Sequence, residues 1–178
     1  RDAAPRGAIA RQDWPAVNDQ LIDRLAHRRS RCVIDPSLAD ALASEISRRW
    51  PAAVAEASSR GDRILAGNYD LLGYRGLTFV NWHSDPVHRR HAPRTCWAEV
   101  PYLDPAVGDH KIIWELNRHQ HLVVLAQAHL LTGRDDFLEE LKAQLESWIK
   151  DNPFMRGINW SSSLEVAFRA LSWMWVLH

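Results

Sequence analysis

An excess of charge of either sign is missing from this 178-residue sequence: Lys plus Arg and Asp plus Glu each total 22, so the formal net charge is zero. No overall field draws such a chain to nucleic acid or to an anionic membrane, and any anion site must be local. Cysteine is scarce. Cys32 and Cys96 stand far apart without a C-x-x-C pattern, which fits neither a disulfide scaffold nor a zinc knuckle and leaves the redox compartment open. No apolar run approaches the roughly 20 residues that span a bilayer, and the opening RDAAPRGAIARQDW lacks the apolar core of a signal peptide. HExxH and comparable ligand spacings are absent. His83, His88 and His91 lie in irregular sequence, while His119 and His121, two apart, face different sides of a helix, so neither a metal nor another cofactor is expected.

What is present suits a folded, helical chain. Hydrophobic residues make up 46% and charged ones 25%, enough for a sizeable core and against disorder. The nine tryptophans are spread along the whole length, as rings that fill gaps between helices would be. Residues 14–29 read as a helix with a short stripe of Leu21, Ile22 and Leu25, and residues 36–58 as a second, with Leu38, Leu42, Ile46 and Trp50 at helical spacing and a stop or kink at Pro51. From 59 to 107 glycines and prolines break the periodicity, with one strand-like run at Leu77–Val80. Regular order returns at 117. Asn117 is placed as the cap of a helix reaching Thr132-Gly133, with Gln120 as its reciprocal partner. A second helix starts at Asp135-Asp136 and carries Phe137, Leu138, Leu141, Leu145, Trp148 and Ile149 to a stop before Pro153. The short Thr-Gly-Arg link makes these two antiparallel neighbours. A third starts near Ser162, capped with Glu165, and sets Leu164, Phe168, Leu171 and Trp175 on one side. Its apolar pattern still runs at His178, from which a longer parent protein is expected.

Two blocks hold a mixture that a core alone does not ask for: GDHKIIWELNRHQHL at 108–122 and GINWSSSLEVAFRALSW at 157–173. They gather Asp109, Trp114, Glu115, Asn117, Arg118, His119, Asn159, Trp160, Glu165 and Arg169 near helix starts, where unpaired N–H groups favour anions. WELNRHQHL, the helical stretch TGRDDFLEELKAQLESWI and NP-x-x-RGINWSSSLEVAFRALSW resemble, in this order, the N-terminal region of heparinase II/III-like polysaccharide lyases. The resemblance is strongest over 108–178 and weaker over 60–107. It implies an all-α, incomplete (α/α) toroid of antiparallel helix pairs beginning at 108, behind N-terminal helices and an irregular connecting segment over 1–107, with the rest of the toroid and a β-sandwich elsewhere in the parent. It also implies a periplasmic or secreted location.

The resemblance further implies a substrate: an acidic, uronate-containing polysaccharide of heparan or alginate type, cleaved by β-elimination. That chemistry needs a group to neutralise the developing enolate, a base for the C5 proton and an acid for the leaving oxygen. In the family an asparagine or histidine neutralises, and a tyrosine and histidine move protons; those motifs are expected beyond residue 178. Tyr69, Tyr74 and Tyr102 cannot be given the base role by motif, so the catalytic set is unassigned and this stretch alone is expected to be inactive. For substrate binding the candidates are Trp114 and Trp160 as sugar platforms, Arg118 or His119 as carboxylate or sulfate grips, and Asn117 and Asn159 as polar contacts. Glu115, Glu165 and Arg169 would support them. Each has a plainer reading: Asn117 as a cap, Glu115 paired with an arginine, Glu165 in the Ser162 capping box, Arg169 paired with Glu165 one turn away. A glycoside hydrolase using two of Asp109, Glu115 and Glu165, and a noncatalytic carbohydrate-binding scaffold, are the competing functions.

Overall fold

The computed structural model describes residues 10–26 and 35–177, which belong to two compact units, Arg1–Ala39 and Asp40–His178. In the first unit, Asp13 accepts the Ala16 N–H at 3.2 Å and caps helix α1 (Trp14–Ala26). Leu21 and Ile22 are exposed on it; the Leu25 side chain and residues 27–29, the end of the expected helix, lie outside the described residues.

The expected helix 36–58 is two helices, α2 (Ala39–Arg49) and α3 (Pro51–Leu65), separated at Trp50. Pro51 sits in the first turn of α3, where its missing N–H leaves no bond unmade. That helix continues past residue 58 through Gly61, because Gly61 is where it meets α6 (Asp135–Asp151). A Cβ on Gly61 would lie 2.6 Å from Cε1 of Phe137, a ring with no exposed surface. Gly61→Ala, which in an open helix stabilises by about 0.5–1 kcal/mol, is therefore expected to destabilise by about 1–3 kcal/mol through overpacking. Urea unfolding gives the sign, and a stabilised variant would mean that Phe137 yields.

Between α3 and the next helix the chain forms two small hairpins. Strand β1 (Tyr69–Leu71) pairs antiparallel with β2 (Tyr74–Leu77) across Leu72-Gly73, whose φ values of 51° and 86° match the left-handed residues of a tight hairpin turn. Of the run expected at Leu77–Val80, only Leu77, the last residue of β2, is in a strand. Phe79 instead packs edge-on against Tyr69, with centroids 5.7 Å apart. Strand β3 (Ser84–Asp85) pairs with β4 (Arg90–His91). Asp85 is fully buried and accepts the Val87, His88 and Asp109 N–H groups and Nδ1 of His88 at 2.7–3.2 Å. Burial pushes its carboxyl up, but these donors together outweigh burial and hold it below the usual range. Gly108, at φ 96°, allows the approach: a Cβ there would stand 2.8 Å from that of Asp85.

Asp109 then caps α4 (His110–Asn117), its carboxylate accepting Lys111 N–H at 2.9 Å. This helix lies where order was expected to begin only at 117, and it makes Asn117 a last residue instead of a cap. Helix α5 (Gln120–Thr132) ends at Gly133 in the left-handed region and α6 begins at Asp135, both as expected. Helix α7 (Ser163–Leu177) follows a tight turn at Ile158–Trp160.

One apolar cluster joins α3, α5 and α6 through Ile64, Leu122, Leu125, Ala128, Phe137 and Leu141. A second joins α4 to the irregular segment through Ala92, Val100, Val107, Ile113 and Ile158. The described residues are mostly helical, with only small strand pairs among them. No helix among the described residues is long and apolar enough to cross a membrane. Helix α7 does set Leu164, Leu171 and Trp175 on one side, but that side is exposed and the buried one carries Glu165, Arg169 and Ser172.

Candidate functional site

The buried polar face of α7 meets the end of α4 and the start of α5. Between those helices His119 takes a left-handed conformation, φ 61° and ψ 24°, which is uncommon for a residue with a Cβ and persists only where its surroundings demand it. Its imidazole is wholly buried, stacks on Trp173 at 5.8 Å and meets the edge of Trp148 at 5.2 Å. Nδ1 accepts the Trp173 indole N–H at 2.7 Å. Burial, and after it the charges of His121 and Arg169, hold its pKa well below the ordinary value, so the ring is neutral with its one proton on Nε2. In this structure the buried ring offers one uncharged donor, where the sequence suggested a charged imidazolium.

Arg118 is committed within the fold. Its Nε and Nη2 donate to Glu165 at 2.7 and 2.9 Å, its Nη1 donates to Glu115 at 2.5 Å, and the guanidinium lies over the Phe168 ring at 4.7 Å. The expected pairing of Glu115 with an arginine is present. Glu165 is 3% exposed and its carboxylate is taken by Arg118, which displaces the capping-box reading. Arg169 does not take the expected pairing with Glu165 either. Nε donates to the carbonyl of Asn117 at 2.9 Å and Nη2 to that of Asn159 at 3.0 Å, with the guanidinium 4.3 Å above Trp148. Burial lowers its pKa to about 10, which leaves it charged at neutral pH.

The two asparagines converge. Asn117 donates to the carbonyls of Trp82 and Ile113 and accepts the indole N–H of Trp148 at 2.7 Å. Asn159 donates to the same Trp82 carbonyl at 3.0 Å and to Asn152 at 2.8 Å. Both are buried below the surface. Trp114 is half-buried, with its indole donating to the Ile158 carbonyl at 3.0 Å and its ring in a cluster with those of Tyr102 and His110. Trp160 is half-buried, edge-on to Phe154. Of the six residues expected to touch substrate, Trp114, Arg118 and Trp160 retain accessible surface.

Trp82, held by those asparagines, lines an open cleft of about 500 Å³ with Tyr69, Phe79, Arg94, Gln144 and Lys150. Its indole donates to Ser147 Oγ at 3.1 Å and its ring stacks on His121 at 6.2 Å. Sequence reading passed over this residue because it lies in the aperiodic segment; only the convergence of two distant motifs on its carbonyl singles it out.

A family model described as Heparinase II/III N-terminus matches residues 6–175. The chain belongs to the heparinase II/III family. No curated protein and no solved structure matches it. The buried network therefore lies within the stretch that the family model covers, the chain is that of a polysaccharide lyase-related protein, and WELNRHQHL and GINWSSSLEVAFRALSW, which carried the resemblance, form that network.

Proposed function

We propose that this chain is the N-terminal part of a lyase that cleaves an acidic, uronate-containing polysaccharide by β-elimination. The match to the family over residues 6–175 carries the reading. In such a reaction a base removes the proton at C5, the electron pair forms the C4=C5 double bond, and the bond from C4 to the glycosidic oxygen breaks as an acid protonates that oxygen. The adjacent carboxylate holds the developing charge and must be neutralised.

The residues described here serve binding in this reading, and the proton-moving groups come from elsewhere in the parent. Tyr69 is held away from that role: its hydroxyl accepts from Gln144 at 3.0 Å, and burial raises its pKa further above neutrality. Asn117, His119, Asn159, Glu115, Glu165 and Arg169 act as the frame behind the sugar site, while Trp114, Arg118 and Trp160 form accessible parts of its wall. Further toroid helices would cover the exposed Leu164, Leu171, Met174 and Trp175 side of α7, where apolar surface is otherwise left in water. A β-sandwich in the parent and a periplasmic or secreted location complete the reading. A hydrolase has less support, because Glu115 and Glu165 share one guanidinium and Asp109 is spent on the α4 cap.

The test is ultraviolet absorbance of an unsaturated uronate, comparing residues 1–178 with the chain extended through its downstream coding sequence, on heparan and alginate. Absorbance from the extended protein alone is expected. Reducing ends without absorbance would replace the lyase by a hydrolase, and binding without cleavage by either protein would replace it by a scaffold.

A further inference from the structure

The Trp82 cleft has an aromatic wall whose position is fixed before any ligand arrives. Two buried asparagine side chains hold the Trp82 carbonyl, Ser147 holds the indole N–H, and His121 lies against the ring. His121 is fixed in turn: its Nε2 donates to Gln144 Oε1 at 2.9 Å, and Gln144 donates onward to Tyr69 and Glu140 at 3.0 and 2.7 Å. An indole held this way loses little freedom when a sugar stacks on it. A volume of about 500 Å³ lies within the usual range of small-ligand sites.

The charges around the wall define what could stack there. Four ionisable side chains of full charge line the cleft: Arg94, Lys150, Glu140 and Asp151. Arg94 is already bidentate on Asp151, at 2.8 and 2.9 Å. Glu140 accepts from Gln144. Lys150 is exposed, and no ion pair engages it among the described residues. The cleft thus sums to zero: with Arg94 and Asp151 paired, it holds one uncommitted cation, Lys150, and one carboxylate bonded to a neutral amide, Glu140, around one positioned aromatic plate. A densely sulfated chain would need several free cations to replace its counterions, whereas a carboxylate-only uronate needs one.

Resting on the acidic-polysaccharide reading above, we infer that this cleft is a subsite for one unsulfated uronate residue, its ring on Trp82 and its carboxylate on Lys150. The subsite favours polyuronates of low charge density over sulfated glycosaminoglycans. Trp82, Lys150 and the Arg94–Asp151 pair are then the specificity determinants: the ion pair consumes the cation that a second anionic group would otherwise use.

Calorimetric titration of the whole 178-residue chain with three probes tests this: an unsulfated mannuronate hexamer, a heparin hexasaccharide and a neutral glucan hexamer. The mannuronate hexamer is expected to bind tightest, with Trp82→Ala weakening it roughly tenfold or more, the loss of about 1.4 kcal/mol. Lys150→Gln changes an exposed side chain and leaves the fold intact. It is expected to weaken mannuronate binding severalfold and to flatten its salt dependence by about one ionic contact. Tighter binding of heparin would overturn the charge-density inference. Unchanged affinity in Lys150→Gln, or no binding of the mannuronate hexamer, would overturn the subsite, while absorbance from the extended protein would still uphold the lyase. Equal binding of the glucan would count against the acidic-substrate reading itself.

Discussion

Arg169→Met is expected to lower stability by roughly 3–5 kcal/mol, which for a chain of this size is on the order of 10 °C or more in Tm. The argument is one of desolvation. Arg169 is the donor to two buried carbonyls, those of Asn117 and Asn159. Without it each carbonyl bears a penalty of about 1–3 kcal/mol, and Trp148 loses the guanidinium packed on its face. Methionine restores much of the volume but none of the donors. Arg118 makes more ion pairs, yet Arg118→Gln should cost less, since Arg118 is 24% exposed and water can reach Glu115. Arg169→Lys keeps the charge but cannot bridge two carbonyls with a planar fork, so an intermediate loss is expected. Urea unfolding of the three variants gives the order. A loss below about 1 kcal/mol for Arg169→Met would mean that the bridge between α4, the Asn159 turn and α7 does not hold this region together.

The same residues mark how far sequence reading reached. Helices α5 and α6 were legible because Leu122, Leu125, Phe137, Leu141 and Trp148 recur at helical spacing between Gly133, the Asp135-Asp136 start and Pro153. Helix α4 was missed: it is short, and the chain leaves it through a left-handed His119, with no glycine or proline to mark a break. Asn117 has the chemistry of a cap but spends its amide on Trp82, Ile113 and Trp148, contacts that only tertiary structure can assign. On α7 the usual rule of apolar side inward fails, because the helix faces groups that need charges: the Arg118 fork and the carbonyls bridged by Arg169. The WELNRHQHL and GINWSSSLEVAFRALSW motifs were sufficient to point to the family. Their division of labour was not legible, since nothing in the spacing tells a residue that touches a ligand from one that holds Trp82.

Acid should weaken the fold between about pH 6.5 and 4, and buried histidines rather than carboxylates are expected to set that limb. His83, His119 and His121 are all buried, and in each the largest cause of a lowered pKa is burial itself. For His121 the value falls from 6.5 to about 4, the hydrogen bond to Gln144 offsetting only part of the shift. Above pH 6.5 these rings are neutral folded and unfolded, so their titration adds nothing. Below it the unfolded chain binds protons that the folded chain refuses, and stability falls with pH until the folded rings titrate as well. His121 alone accounts for roughly 3 kcal/mol by pH 4. Asp85, whose carboxyl is held below its ordinary 3.8, loses its contribution only at still lower pH, so the two effects separate. Stability measured by urea unfolding at intervals from pH 7.5 to 4 should fall steadily, and His121→Gln should remove about one proton from the slope. A flat profile to pH 4.5 would mean that the rings are hydrated in solution. It would also loosen the Trp82 wall, since a His121 ring open to water packs less firmly against that indole.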